Sequence, residues 1–322
     1  MTPSWLDQHR ACYSSCSVCV TGGAGFIGSH IVSALDQLGA RVTIIDDCSN
    51  GRRENLAGRS DRVRLIEGSI LDSAALAEAV GGAKIVFHLA ALGSVPASLL
   101  TPERFQETNA TGTMRVLEAA RAVGVGRVVY SASSSAYGDT PTLPKVETMI
   151  PDPRSPYAVT KLEGEHLCRA WAICFGLSTI SLRYFNIFGP RQRPDSQYAA
   201  VVPKFATALR QGISPVIFGD GGQTRDFTHV DNAVHANLLA GSSPRKLQGE
   251  MVNIGCADKF TLLELLDQMN AILATKVSPR FEPTRQGDVR DSLAAVGAAK
   301  ALIGYEPVMH FAEGLRATLM NR

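Results

Sequence analysis

A strand–helix rhythm governs the chain from Ser17 onward. Runs rich in apolar and β-branched residues occupy Ser17–Thr21, Arg41–Asp46, 62–67, 84–89, 127–131 and 177–183. Stretches with helical spacing fill the gaps at 25–38, 74–80, 102–123 and Pro156–Phe175. Runs apolar on both sides and separated by helices imply a parallel sheet covered on both faces. Right-handed crossovers then give a doubly wound α/β fold. Beyond about Phe185 the elements shorten, and Gly and Pro become frequent, as at Gly189-Pro190. That stretch, 186–322, predicts a smaller lobe over the carboxyl edge of the sheet, with segments near 228–254 returning to the main domain. Residues 1–15 read as a short, partly helical extension.

The first strand runs straight into Thr21-Gly22-Gly23-Ala24-Gly25-Phe26-Ile27-Gly28, with glycines spaced G-x-x-G-x-x-G. In such a turn Gly22 permits the tight bend and Gly25 lets backbone amides approach a pyrophosphate. Gly28 lets the next helix lie close to the sheet, its N-terminus facing the phosphates. Asp46 closes the second strand, where a carboxylate takes the adenosine ribose hydroxyls and repels a 2′-phosphate. Together these predict a Rossmann domain over 16–185 that binds NAD rather than NADP. Arg52 and Arg53 stand against that choice, since arginines so placed can hold a 2′-phosphate.

Tyr157-Ala158-Val159-Thr160-Lys161 puts a phenol and an ammonium on one helical face, with Pro156 suited to the first helical position. A free tyrosine titrates near pH 10, so a base useful near pH 7 needs a drop of about three units, or about 4 kcal/mol. The Lys161 ammonium and a cationic nicotinamide supply that positive potential. Ser133, at the end of the fifth strand, offers a hydroxyl to the oxygen that Tyr157 deprotonates. Alone, a Tyr–Lys pair reads equally as a surface helix pair and Ser133 as a strand-end cap. In order behind the glycine turn and Asp46, they predict dehydrogenase chemistry.

With 32 basic against 30 acidic residues, the balance of charge points to neither nucleic acid nor an anionic membrane as partner. An apolar stretch of about 18 residues is lacking, so no transmembrane helix is expected. A basic start followed by an apolar run is lacking as well, which predicts a cytoplasmic protein without a secretory leader. Seven scattered cysteines fit reduced thiols. Cys12, Cys16 and Cys19 cluster, but Cys19 falls in a buried strand, so no metal is expected.

From about Ser17 to the C-terminus these motifs resemble the extended short-chain dehydrogenase/reductases, and among them the nucleotide-sugar 4-epimerases. The resemblance implies Ser133, Tyr157 and Lys161 as the catalytic set. For NAD it implies Gly22, Gly25, Phe26, Ile27, Gly28, Asp46, Asn50, Ser69 and Ile70. It adds Leu89, Ala90, Ala91, Asn109 and Tyr184 to Tyr157 and Lys161 for the same cofactor. For a UDP-sugar it implies Gly93, Ser94, Val95, Ser134, Ser135, Asn186, Val201 and Val202, with Arg225 and Arg290 (in Gly287-Asp288-Val289-Arg290) clamping the diphosphate. In the implied reaction Tyr157 takes the C4 hydroxyl proton as hydride leaves for NAD. The 4-keto sugar turns over and is reduced on its other face. Members pair through helices matching 102–123 and Pro156–Phe175, implying a homodimer.

Family dehydratases and decarboxylases carry an acid just after the catalytic hydroxyl. Here Ser134 and Ser135 stand there, which favours epimerisation over elimination. The run from Ala91 to Pro96, with Ser133–Ser135, is most similar to UDP-N-acetylglucosamine 4-epimerases and their uronic-acid-using relatives. Ser292 stands where a small residue admits an N-acetyl group and a bulky aromatic excludes it. Ala97 departs from an arginine of close relatives, Ser69 from an aspartate at adenine, and Ala295 from a common acid. Three readings stay open: such an epimerase, another nucleotide-sugar enzyme (a UDP-glucose or UDP-glucuronate 4-epimerase, a 4,6-dehydratase, a decarboxylase or a reductase), and a non-catalytic NAD sensor. The intact Ser133, Tyr157 and Lys161 argue against the last.

Overall fold

The computed structural model describes residues 3–193, 200–284 and 289–320. Short helices α1 (Ser4–Asp7) and α2 (Arg10–Tyr13) open the chain, followed by β1 (Ser17–Thr21), α3 (Phe26–Gln37), β2 (Arg41–Asp46), β3 (Val63–Glu67), α4 (Ser73–Val80) and β4 (Ile85–His88). Next come α5 (Val95–Leu100), α6 (Pro102–Phe105), a π-helical turn over Gln106–Thr111, α7 (Gly112–Ala122), β5 (Arg127–Ser133), α8 (Pro156–Phe175) and β6 (Thr179–Tyr184). The lobe adds β7 (Ile187–Phe188), α9 (Val201–Arg210), β8 (Val216–Phe218), β9 (Thr224–Arg225) and β10 (Thr228–His229). The chain ends with α10 (Val230–Ser242), β11 (Gln248–Ile254), β12 (Phe260–Thr261), α11 (Leu262–Leu273), β13 (Arg280–Glu282), α12 (Gly297–Ile303) and α13 (Phe311–Met320).

Seven of these strands form one sheet in the order β11-β6-β5-β4-β1-β2-β3, every pair parallel. The order reverses between β1 and β4, and the doubly wound Rossmann architecture read from the sequence is what the chain adopts. One face is buried under α3 and α10, around Ile31, Leu35, Val234 and Leu238. The other packs Leu76, Val116, Leu117 and Cys168 from α4, α7 and α8. β11, deep in the second half of the sequence, is an edge strand of this same sheet. A separate core, including Phe188, Phe205, Leu265 and Phe311, holds the lobe.

Three local features differ from the expected elements. The helix expected over 102–123 is divided by the π-helical turn. The fifth strand runs on to Ser133, because Ala132 and Ser133 pair with Arg183 and Tyr184. The N-terminal extension, expected to be only partly helical, forms two successive helical turns, Ser4–Asp7 and Arg10–Tyr13. Tyr13 Oη donates to the Leu238 carbonyl at 2.7 Å, and the buried His9 and His235 rings share a hydrogen bond of 3.0 Å.

Helix α8 is set with particular firmness. Ser155 caps its start, accepting from Ala158 N at 3.2 Å, and Gly176 ends it in the left-handed conformation. At Gly164 a Cβ would stand 2.2 Å from Tyr130 Oη, so α8 lies against β5 at a distance only glycine allows.

Candidate active site

The carboxyl ends of the strands open into one cavity of about 680 Å³. At its first end Gly22 has φ +70°, and a Cβ there would lie 2.7 Å from Ala90 N. A Cβ on Gly28 would meet Gly22 O at 2.1 Å, so the turn closes onto the first residues of α3. Asp46 is buried, its carboxylate fixed by Ala24 N at 2.8 Å and Cys48 N at 2.9 Å. Burial raises its pKa, an effect these two amides oppose. Phe26, Ile27, Asn50, Ser69 and Ile70 line the same end. Arg53, set above as a rival 2′-phosphate site, is paired with Glu67. A cradle that a Cβ would fill, a helix start and a fixed acid at the second strand together fit NAD.

Midway along the cavity stand Ser133, Tyr157 and Lys161. Ser133 is the last residue of β5, and its Oγ accepts from Ser135 N at 3.2 Å and Ser135 Oγ at 2.9 Å. Tyr157 sits in the first turn of α8, its ring met edge-on by Phe105 at 6.4 Å. One turn on, Lys161 Nζ donates to the Ser131 carbonyl at 2.8 Å and lies 5.1 Å from the Tyr130 ring. Burial lowers the Lys161 ammonium to about 8. Tyr157 reaches the cavity but is closely surrounded, so burial pushes its phenol up, opposed by a hydrogen bond to Ser133. Within the chain itself desolvation wins, whereas the lowering expected of Lys161 together with a cationic nicotinamide concerns the site with its cofactor. Leu89, Ala90, Ala91 and Tyr184 complete the wall. Tyr184 Oη bonds Ser131 Oγ at 3.2 Å and accepts from Asn237 Nδ2 at 2.6 Å.

The far end belongs to the lobe. Asn186, held at φ +35°, donates to Ser292 Oγ at 3.0 Å and to the Asp226 carbonyl at 3.2 Å. Arg225 lines the cavity while donating to the Thr224 and Arg290 carbonyls at 2.9 and 2.8 Å. Behind them the buried Asp226 carboxylate accepts from Cys256 N, Ala257 N and Ala294 N at 2.9 to 3.1 Å, tying three chain segments together. Burial raises it to about 6. Gly93, Val95, Ser134 and Ser135 also line the cavity.

Several expected site residues stand elsewhere. Arg290 is exposed and bonded to Asp220 at 3.1 Å instead of lining the cavity. Val202 is buried in the lobe core, and Ala200, not Val201, faces the cavity. Ser94 caps α5 by accepting from Ala97 N at 3.2 Å. Asn109 is buried behind the wall, where it accepts from Leu92 N at 2.8 Å and donates to Leu92 O and Thr160 Oγ1, both at 3.1 Å. It braces the Ala91–Gly93 loop without lining the cavity. Gly287 and Asp288 lie outside the described residues. Conversely Arg104, Thr108, Tyr137, Lys145 and Gln192 line the cavity unannounced by any motif. Lys145 is buried, donating to the carbonyl and hydroxyl of Thr140. Among the described residues no cluster of three metal-ligating side chains occurs, and no helix is long and apolar enough to cross a membrane.

Residues 18–255 match the model of the NAD dependent epimerase/dehydratase family. The chain belongs to that family. Within it, the chain is 37% identical over 306 residues to a UDP-glucose 4-epimerase of Mycolicibacterium smegmatis, covering 93% of this chain and 96% of that protein. A UDP-N-acetyl-alpha-D-glucosaminuronate decarboxylase of Bacillus cytotoxicus is 34% identical, covering 93% and 95%. Among solved structures, a UDP-N-acetylglucosamine 4-epimerase of Methanobrevibacter ruminantium, in complex with UDP-N-acetylmuramic acid, superposes with a TM-score of 0.91. It is 37% identical, covering 95% of this chain and 97% of that one. As a member of the NAD dependent epimerase/dehydratase family among its nucleotide-sugar epimerases, this protein is an NAD-dependent enzyme.

Proposed function

We propose that the protein is a UDP-hexose 4-epimerase acting on N-acetylhexosamines or the corresponding uronic acids. One observation carries the choice of reaction. Among the described residues, the cavity is lined by two carboxylates, Asp46 and Asp47, and both stand at the adenosine end beyond β2. Around Tyr157 the walls offer only hydroxyls, amides, cations and apolar groups, so no carboxylate is placed to remove a second proton. Elimination needs such a base, and inversion at C4 does not.

The residues of the glycine turn with Asp46 would hold NAD, which would supply hydride acceptance and return at C4 and a positive charge favouring the Tyr157 phenolate. Tyr157 takes the C4 hydroxyl proton and gives it back, with Ser133 sharing the hydrogen bond to that oxygen. Lys161, anchored on Ser131, keeps a cation next to the phenol. Arg225 and Asn186 hold the diphosphate, which fixes the substrate remotely while the 4-keto sugar turns. Ser292, small and at the wall beside Asn186, supports the N-acetyl reading, as does the solved relative with an N-acetylated ligand. Exposed Leu99, Leu100, Met114, Val159 and Ile173 on α5, α7 and α8 support a homodimer through these helices. All seven cysteines are free thiols, consistent with a cytoplasmic enzyme.

The test is to incubate the protein with UDP-GlcNAc, UDP-GalNAc, UDP-Glc and the matching uronates, and to read C4 configuration by NMR. C4 epimers should form without net NADH. Tyr157→Phe should lower turnover by about 10²–10⁴-fold while NAD stays bound. Near-normal turnover in that variant, or a product lacking oxygen at C6, would overturn the reading.

A further inference from the structure

We infer that Arg104 recognises a carboxylate carried by the sugar, so that the preferred substrate is an acidic nucleotide-sugar. The inference rests on the epimerase reading and deepens it. Four cations line the cavity among the described residues: Arg104, Lys145, Lys161 and Arg225. Three are committed. Lys161 donates to the Ser131 carbonyl beside Tyr157, Lys145 is buried against Thr140, and Arg225 is anchored on the Thr224 and Arg290 carbonyls next to Asn186. Arg104 makes no hydrogen bond or ion pair with any described residue. Glu103 and Glu107 flank it in sequence without pairing to it.

Its position fixes what it meets. Arg104 precedes Phe105, whose ring packs edge-on against Tyr157, so it lies on the wall that carries the reacting end of the substrate. The only carboxylates among the described lining residues are Asp46 and Asp47, beyond β2 at the other end. Arg104 is exposed and lines the cavity with its donors uncommitted, and its planar fork matches a carboxylate through two hydrogen bonds. The diphosphate is already met by Arg225, which leaves a charge on the hexose itself. A sugar acid supplies it. A neutral hexosamine does not.

The experiment compares kcat/KM for UDP-GlcNAc and for its C6 uronate in the wild type, Arg104→Gln and Arg104→Lys. The wild type should favour the uronate. Arg104→Gln should lower kcat/KM for the uronate about ten-fold or more, chiefly through KM, because a hydrogen-bonded charge loses its partner. The neutral sugar should change by no more than about two-fold, and Arg104→Lys should recover part of the loss. Equal losses on both sugars, or none on the uronate, would overturn the inference while leaving the epimerase reading intact. Turnover of neither sugar by NAD-loaded wild type would instead bring down the epimerase reading and this inference with it.

Discussion

At the cofactor end of the cavity, the functional groups stand on the sheet: Gly22 follows β1, Asp46 ends β2 and Leu89 follows β4, each beside a hydrogen-bonded parallel neighbour. At the substrate end Asn186 lies between β6 and β7, Arg225 in the two-residue β9, and Ser292 on irregular chain. What holds these is a set of buried side chains. Asp226 gathers three segments, and Asn253 accepts from Tyr137 Oη at 2.7 Å while donating to the Lys145 and Ala295 carbonyls at 2.9 and 3.2 Å. Backbone geometry builds one end and side-chain hydrogen bonds build the other. The first should therefore tolerate most side-chain changes but no added atom in its turn. The second should be tunable one residue at a time.

The sharpest way to break the contrast is Gly28→Ala. With its Cβ 2.1 Å from Gly22 O, the turn must open, and the protein should lose about 3 kcal/mol of stability and be purified without NAD. Thermal unfolding and the absorbance of released nucleotide read both effects. A variant that keeps its NAD would show that the close approach is dispensable. Ser292→Tyr acts at the other end. It should lower kcat/KM for UDP-GlcNAc about 10–100-fold and change that for UDP-Glc little. Equal losses on both would mean that Ser292 does not sort substrates by size.

The smallest effect concerns pH. Burial lowers His88 to about 3, and His9, His30, His229 and His235 to about 4. For these groups the unfolded chain binds more protons between pH 4 and 6.5, so their contribution favours folding above pH 6.5 and is lost as pH falls toward 4. Asp226 and Asp231, raised to about 6, work in the opposite sense, as does Asp46. Five groups outweigh three, so Tm should fall by several degrees between pH 7 and 5. A rising Tm over that range would mean that the carboxylates dominate.

The same contrast separates what the sequence disclosed from what it concealed. Parallel strands buried on both faces leave unbroken apolar runs, and a Tyr–Lys pair one helical turn apart is visible as spacing. These signals are local. Arg290 is different, since its neighbours in sequence suggest a diphosphate clamp while its partner, Asp220, is brought to it by the fold. Val202 is apolar like any pocket residue, and only the packing of α9 on α11 turns it into the lobe core. Asn109 has the polarity of a ligand contact but spends it on Leu92 and Thr160. Arg104 belongs to no motif, and only the three-dimensional wall reveals it.

That wall depends on the π-helical turn over Gln106–Thr111, which joins α6 to α7. A turn of this kind holds more residues than ordinary helical pitch allows. Removing one of them would restore the regular repeat and swing α6 by about 100° about the axis it shares with α7. Arg104 would then leave the cavity, although every residue that lines it had been kept. Through this helical irregularity, a single-codon deletion outside the pocket becomes a route by which the cavity loses a cation without any change to its lining sequence.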